Sequence, residues 1–155
     1  MVVGVCPAYL PNIHYMAWLV SQKKVLLITD KPYQKQTFRN RTEIYGPNGK
    51  LKLTIPIVHT KTNHRQLDKL VAIHYENDWQ KNHWKSLETS YRSSPFFEFY
   101  EDELYPFYHQ KFEKLMNFNI CLIKKILSLL DAPVSLHKSE KGINEFTDLI
   151  IAKQR

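Results

Sequence analysis

Val2-Val-Gly-Val5, Asn12-Ile-His-Tyr-Met-Ala-Trp-Leu-Val20 and Val25-Leu-Leu-Ile-Thr29 follow one another in close succession. The first and last are short apolar runs of the kind that form buried strands. Between them Pro7 and Pro11 punctuate the chain, and Ile13, Met16, Ala17 and Val20 recur at i, i+3, i+4 and i+7, on one face of a helix. Asn12 stands where its side chain can accept from the open N–H groups of a first helical turn. Strand, helix and strand at this length predict a parallel crossover unit.

Working outward, Thr42 to Tyr45 and Leu51 to Val58 flank Gly46-Pro-Asn-Gly49. Asn48-Gly49 predicts a hairpin there, because both residues accept positive φ. Leu51, Leu53, Ile55 and Ile57 alternate with Lys52, Thr54 and Pro56, the pattern of a half-buried strand, and Pro56 places it near an edge or a strand end. After a His- and Lys-rich loop from His59 to Arg65, a short strand is expected at Leu70 to Tyr75. From residue 78 the character turns helical. Asp78 is the expected cap of a helix through Trp79, Trp84, Leu87 and Tyr91. Phe96 to His109 reads as short turns interrupted by Pro106, and Asn117 to Leu130 as an amphipathic helix. Val134 to His137 is expected to be a last strand, and Phe146, Leu149 and Ile150 a closing helical turn. The predicted class is mixed α/β (α+β). The strand-helix-strand unit and the hairpin would form a mixed sheet, covered by C-terminal helices, in a single domain over residues 1–155.

The 155 residues, 43% hydrophobic and 24% charged, have the composition of a globular protein that needs no disulfide or metal to fold. No run approaches the roughly 20 apolar residues of a membrane span; Ile120 to Leu130 is broken by Lys124 and Lys125. The N-terminus lacks a basic leader region, so a cytoplasmic location is expected. Cys6 and Cys121 are too far apart for a Cys-x-x-Cys site and read as reduced thiols in apolar surroundings. The Gly-rich dinucleotide and P-loop fingerprints, the Gly-x-Ser-x-Gly elbow and the His-Glu-x-x-His pair are all missing. His59, His64 and His74 lack metal-ligand spacing, so neither a metal nor a cofactor is expected. A net charge of +7 implies an anionic partner without naming it.

Three segments carry candidate chemistry. In Lys31-Pro-Tyr-Gln-Lys-Gln-Thr-Phe-Arg-Asn-Arg41, Lys35, Arg39 and Arg41 supply charge, Gln34, Gln36 and Asn40 neutral polar groups, and Tyr33 and Phe38 flat faces. Arginine's planar fork suits phosphate or carboxylate. At the entry to an extended strand, Arg39 and Arg41 would point the same way. The bland alternative is a solvated loop over a sheet edge. In the second segment His83 lies one helical turn from Trp79 and Leu87, beside the apolar face, where it is either a general base or a satisfied core histidine. The third, Ser94-Pro-Phe-Phe-Glu-Phe-Tyr-Glu-Asp-Glu103, reads either as a sugar-stacking surface or as an aromatic plug, the plug being favoured.

These stretches together resemble the WbqC-like family of bacterial proteins, in its Bacteroidetes-type branch. The resemblance rests on Pro7-Ala-Tyr-Leu-Pro11 with Tyr15, Tyr33-Gln-Lys-Gln with Phe38-Arg-Asn-Arg41, and Leu53-Thr-Ile-Pro-Ile57. It continues through Trp79, His83-Trp-Lys-Ser-Leu87, Tyr91, Ser93-Ser-Pro-Phe-Phe-Glu98 with Tyr100, Pro106-Phe-Tyr108 and Phe118-Asn119. The chain departs from the family at Cys6, where Gln is usual, and in an apparently short C-terminus. The resemblance implies a transferase, acyl or glycyl in type, decorating an amino sugar or sugar nucleotide for surface polysaccharide (O-antigen). It marks His83 and Tyr91 as catalytic candidates and Tyr33, Lys35, Arg39, Asn40 and Arg41 as substrate-binding ones. Arg39 and Arg41 would share a concavity with His83 acting as base. The alternatives are a nucleic-acid binder stacking bases on Tyr33 and Phe38, or an accessory subunit of a polysaccharide complex.

Overall fold

The structure, a computed structural model, describes residues 3–60 and 65–139. Three parallel strands run in the order β1 (Val3–Val5), β2 (Lys24–Leu27), β5 (Ser135–Lys138). Val3 pairs with Val25 and Val5 with Leu27, while Lys24 pairs with Ser135 and Leu27 with Lys138. Helix α1 (Ile13–Val20) makes the crossover between β1 and β2, and Asn12 caps it by accepting from the Tyr15 N–H at 2.9 Å. The predicted strand-helix-strand unit is thus present. The buried face of α1 is not the predicted one: Tyr15 and Leu19 point inward, whereas Ile13 is 79% exposed. Tyr15 is held there by its hydroxyl, which donates to the Cys6 carbonyl at 2.9 Å.

The hairpin of β3 (Arg41–Gly46) and β4 (Gly49–Thr54) stands apart as a two-stranded sheet instead of joining the parallel strands. Its turn residues are Pro47 and Asn48, and positive φ falls on Gly49 (106°) rather than on Asn48. Proline cannot take positive φ, so the two-residue turn with both φ positive is unavailable, and the glycine after it supplies the reversal. No ladder strand forms at Leu70 to Tyr75. A 3-10 turn, Asp68–Leu70, leads into single bridges from Ala72 to Lys114 and from Ile73 to Ile57.

Helices α2 (Trp79–Tyr91), α3 (Phe97–His109) and α4 (Leu115–Leu129) complete the fold. Asp78 precedes α2 with φ 38° and makes no side-chain cap bond. Pro106 does not interrupt α3, which runs on to His109. The expected turn at Phe146 to Ile150 lies outside the described residues.

Two hydrophobic cores share α4. Leu115, Phe118 and Leu122 enter one with the hairpin, α2 and α3, while Met116, Ile120, Ile123 and Leu127 enter the other with the parallel sheet and α1. Both sets recur at helical spacing on neighbouring faces of the same helix. Among the described residues no helix is long and apolar enough to cross a membrane. Because Phe118 is fully buried among Tyr9, Trp79, Phe107 and Phe112, Phe118→Ala should lower unfolding free energy by about 3–5 kcal/mol, read as a fall in the urea midpoint. A loss under about 1 kcal/mol would mean that the aromatic cluster is not a core.

Candidate functional site

The cationic segment does not present its residues to one place. Arg39 lies before β3 and turns inward, 4% exposed, while Arg41 opens the strand on the outer face of the hairpin. Alternation places two side chains on one face only within a strand, and the strand starts too late to include Arg39. The Arg39 Nε donates to Asp68 Oδ2 at 2.8 Å, with further contacts from its guanidinium to Thr37 Oγ1 (3.4 Å) and Cys6 Sγ (3.8 Å). Cys6 is the first residue after β1, and the backbone N–H of Asp68 donates to the Lys31 carbonyl just beyond β2. The pair therefore sits at the carboxyl edge of the parallel sheet, where open α/β sheets generally bind ligands.

Asp68 was not anticipated from the sequence. It is 3% exposed, and burial pushes its carboxyl pKa up while Arg39 opposes the shift. Tyr33 and Asn119 line a small cleft with this pair, together with Pro7, Leu115 and Met116; its volume is about 10 Å³. Burial raises the Tyr33 phenol to about 12. Asn40 is buried and donates to the Ile55 carbonyl, and Lys35 is exposed. With Tyr33 buried and Phe38 packed against the core of the parallel sheet and α1, the segment offers no pair of open aromatic faces for stacking bases.

A larger cleft of about 150 Å³ lies on the other side of Thr37, lined by Gln36, Phe38, Arg41, Thr42, Glu43 and Lys52. Arg41 Nε is buried there without a hydrogen-bond partner. Glu43 faces Lys50 at 3.3 Å.

His83 lines neither cleft. It is 5% exposed, its Nδ1 lies 2.9 Å from the Tyr9 hydroxyl, and that hydroxyl is 3.0 Å from the hydroxyl of Tyr108. Trp79 meets the ring edge-on at 5.1 Å. Burial lowers the His83 pKa to about 4, opposed by a hydrogen bond to the Thr54 backbone. With that ring nitrogen donating to the carbonyl, Nδ1 accepts from Tyr9 and Tyr9 accepts from Tyr108. The imidazole is neutral and committed to its neighbours. It is not brought into a cleft with Arg39 or Arg41, so the arrangement in which it serves as base beside them is not the one the fold builds. Tyr91 ends α2, partly exposed, and lines a third, apolar groove of about 310 Å³ with Leu10, Phe96, Tyr100 and Leu130.

The arrangement makes two thermodynamic predictions. Arg39→Ala strands a buried carboxylate and should cost about 3–5 kcal/mol, whereas the double variant Arg39→Met with Asp68→Leu should recover most of it; equal midpoints for the single and double variants in urea would contradict the pairing. For His83, the folded pKa lies below the unfolded value near 6.5, so the unfolded state binds the extra proton. Stability is full above pH 6.5 and should fall by about 3 kcal/mol as pH drops towards 4. The urea midpoint of His83→Gln should lack this component, and parallel pH curves for the two proteins would refute it.

Comparison with known proteins agrees with the motif set. Uncharacterized protein Rv1507c of Mycobacterium tuberculosis is 26% identical over 132 residues, covering 84% of this chain and 56% of that protein. The chain thus spans little more than half the length of that relative. No solved structure matches. A model of the WbqC-like protein family matches residues 6–153, from Cys6 just beyond β1 through the hairpin and the three later helices, and the chain belongs to that family.

Proposed function

We propose that this chain is a transferase that decorates an amino sugar or sugar nucleotide for surface polysaccharide, by acyl or aminoacyl transfer. The phosphate or carboxylate of the activated donor is held in the cleft of Arg41, Lys52 and Gln36. The observation that carries this reading is the buried, unpartnered Arg41 Nε in a cleft of about 150 Å³. A buried polar group left unpaired costs about 1–3 kcal/mol, a cost that an oxyanion arriving at the guanidinium removes. Lys52 adds a second positive charge from the facing strand, since Glu43 pairs with Lys52 across the hairpin. Glu43 also lines the cleft, and its ion pair with Lys50 offsets part of its charge. Anchoring one end of a donor in this way orients the rest for transfer.

The chemical identity of the product follows the family resemblance, and the site supports its anionic half. Purified protein should be stabilised by sugar nucleotides or acyl-coenzyme A donors, by about 2.7 kcal/mol at a hundredfold excess over Kd. In a thermal-shift assay, Arg41→Ala and Lys52→Ala should abolish that gain while leaving the Tm of the free protein nearly unchanged. No stabilisation by any of these anions, or undiminished stabilisation of both variants, would reject the donor site.

A further inference from the structure

We propose that the small cleft between Asp68 and Asn119 is a subsite for a primary amine. Two side-chain oxygens of residues that line it, Asp68 Oδ1 and Asn119 Oδ1, are buried without a hydrogen-bond partner. Their residues are 3% and 2% exposed. Neither orientation is free to change. Asp68 Oδ2 accepts from Arg39 at 2.8 Å, and Asn119 Nδ2 donates to the Arg39 carbonyl at 2.7 Å, which leaves the amide oxygen as the unpaired atom. Both residues are therefore held by Arg39, and both keep an acceptor in reserve.

The volume, about 10 Å³, admits one group the size of a water molecule. That group must satisfy two acceptors, so it needs at least two hydrogens. A hydroxyl has one and would leave an oxygen bare; a primary amine has enough, and its third substituent leaves by the mouth of the cleft. Arg39 and Lys31 already oppose the charge of Asp68, so the oxygens lack hydrogens more than they lack a positive charge. Leu115, Met116 and Pro7 supply apolar walls, and Tyr33 and Arg39 complete the lining. Thr37 borders the larger cleft and accepts from Arg39, which borders this one. An acceptor seated by its amine would thus lie one residue layer from the anion-holding Arg41. As the acceptor's seat the assignment rests on the transferase reading; as an amine site it stands on the cleft alone.

The test uses small probes that need no knowledge of the natural substrate. The wild-type protein is titrated at neutral pH with methylammonium, methoxyamine (a primary amine that is uncharged there) and methanol, while the side-chain amide signals of Asn119 are followed by ¹H–¹⁵N NMR. One or both amines should shift these signals saturably, and which one does so tells whether the charged or the neutral amine is taken. Methanol should bind at least tenfold more weakly. Asp68→Asn, which turns an acceptor into a donor, should weaken the amine at least tenfold, and the comparison of probes on the wild-type chain holds even where that variant fails to fold. Equal shifts with methanol would overturn the amine assignment. So would the lack of a saturable shift with either amine, which would leave the two oxygens to share a proton or a water. Neither result bears on the donor cleft, whose own test is stabilisation by sugar nucleotides.

Discussion

Three consecutive carbonyls, those of Phe38, Arg39 and Asn40, tie the molecule together. They accept from the Tyr9 N–H, the Asn119 side chain and the Ile55 N–H, respectively. These donors come from the loop after β1, from α4 and from the residue after β4. A segment with no regular structure is thereby fixed at every residue, because each buried carbonyl needs a donor and each donor belongs to a different element. The two hydrophobic cores meet at this crossing. α4 contributes one face to each core, and Asn119, on the stripe between the faces, reaches the middle carbonyl of the three.

The same crossing explains why an arginine is buried there. A buried ion pair is a poor source of stability compared with apolar side chains of the same volume. What Arg39 does instead is orient: its guanidinium links Cys6, Thr37 and Asp68, and its carbonyl orients Asn119. Removing any of these partners would not only lose a bond but let a neighbour rotate. His83 belongs to a second network of this kind, with Tyr9 between it and Tyr108, and Tyr9 is also the residue whose N–H meets Phe38. The two polar networks are therefore adjacent through one tyrosine; the first borders the small cleft, and the second reaches the apolar groove through Tyr108.

Much of the architecture was legible in the sequence, and the exceptions have definite causes. The parallel crossover unit was readable because short apolar runs, an Asn cap and punctuating prolines agree. The face of α1 was not, since every residue of that helix except His14 is apolar or aromatic and several helical stripes fit equally well; Tyr15 wins through its hydroxyl bond to Cys6. The hairpin was legible but its turn type was not, because Pro47 outweighs the Asn-Gly signal. α3 survives Pro106 because a single proline far from the helix start removes one backbone bond, while Phe107 and Tyr108 beside it are buried and hold the chain in place. At the candidate site, the arginines and Asn40 could be singled out by residue type. Asp68 could not, as an isolated carboxylate carries no spacing signal, and its partner lies 29 residues away along the chain.

The placement of the two clefts follows from these constraints rather than accompanying them by chance. Arg39 precedes the strand and must turn inward, because its carbonyl and its guanidinium are both claimed from within. Arg41 begins the strand and must lie on the face opposite Thr42, whose hydroxyl donates inward to the Leu10 carbonyl at 2.9 Å. Because Arg39 stands before the strand, the alternation that would align residues two apart does not reach it, and the two guanidiniums part, one paired with Asp68 and the other left with an unpaired Nε. The segment thus sets Arg39 beside the cleft of Asp68 and Asn119, and Arg41 in the cleft with Gln36 and Lys52. That division is set by the strand start at residue 41.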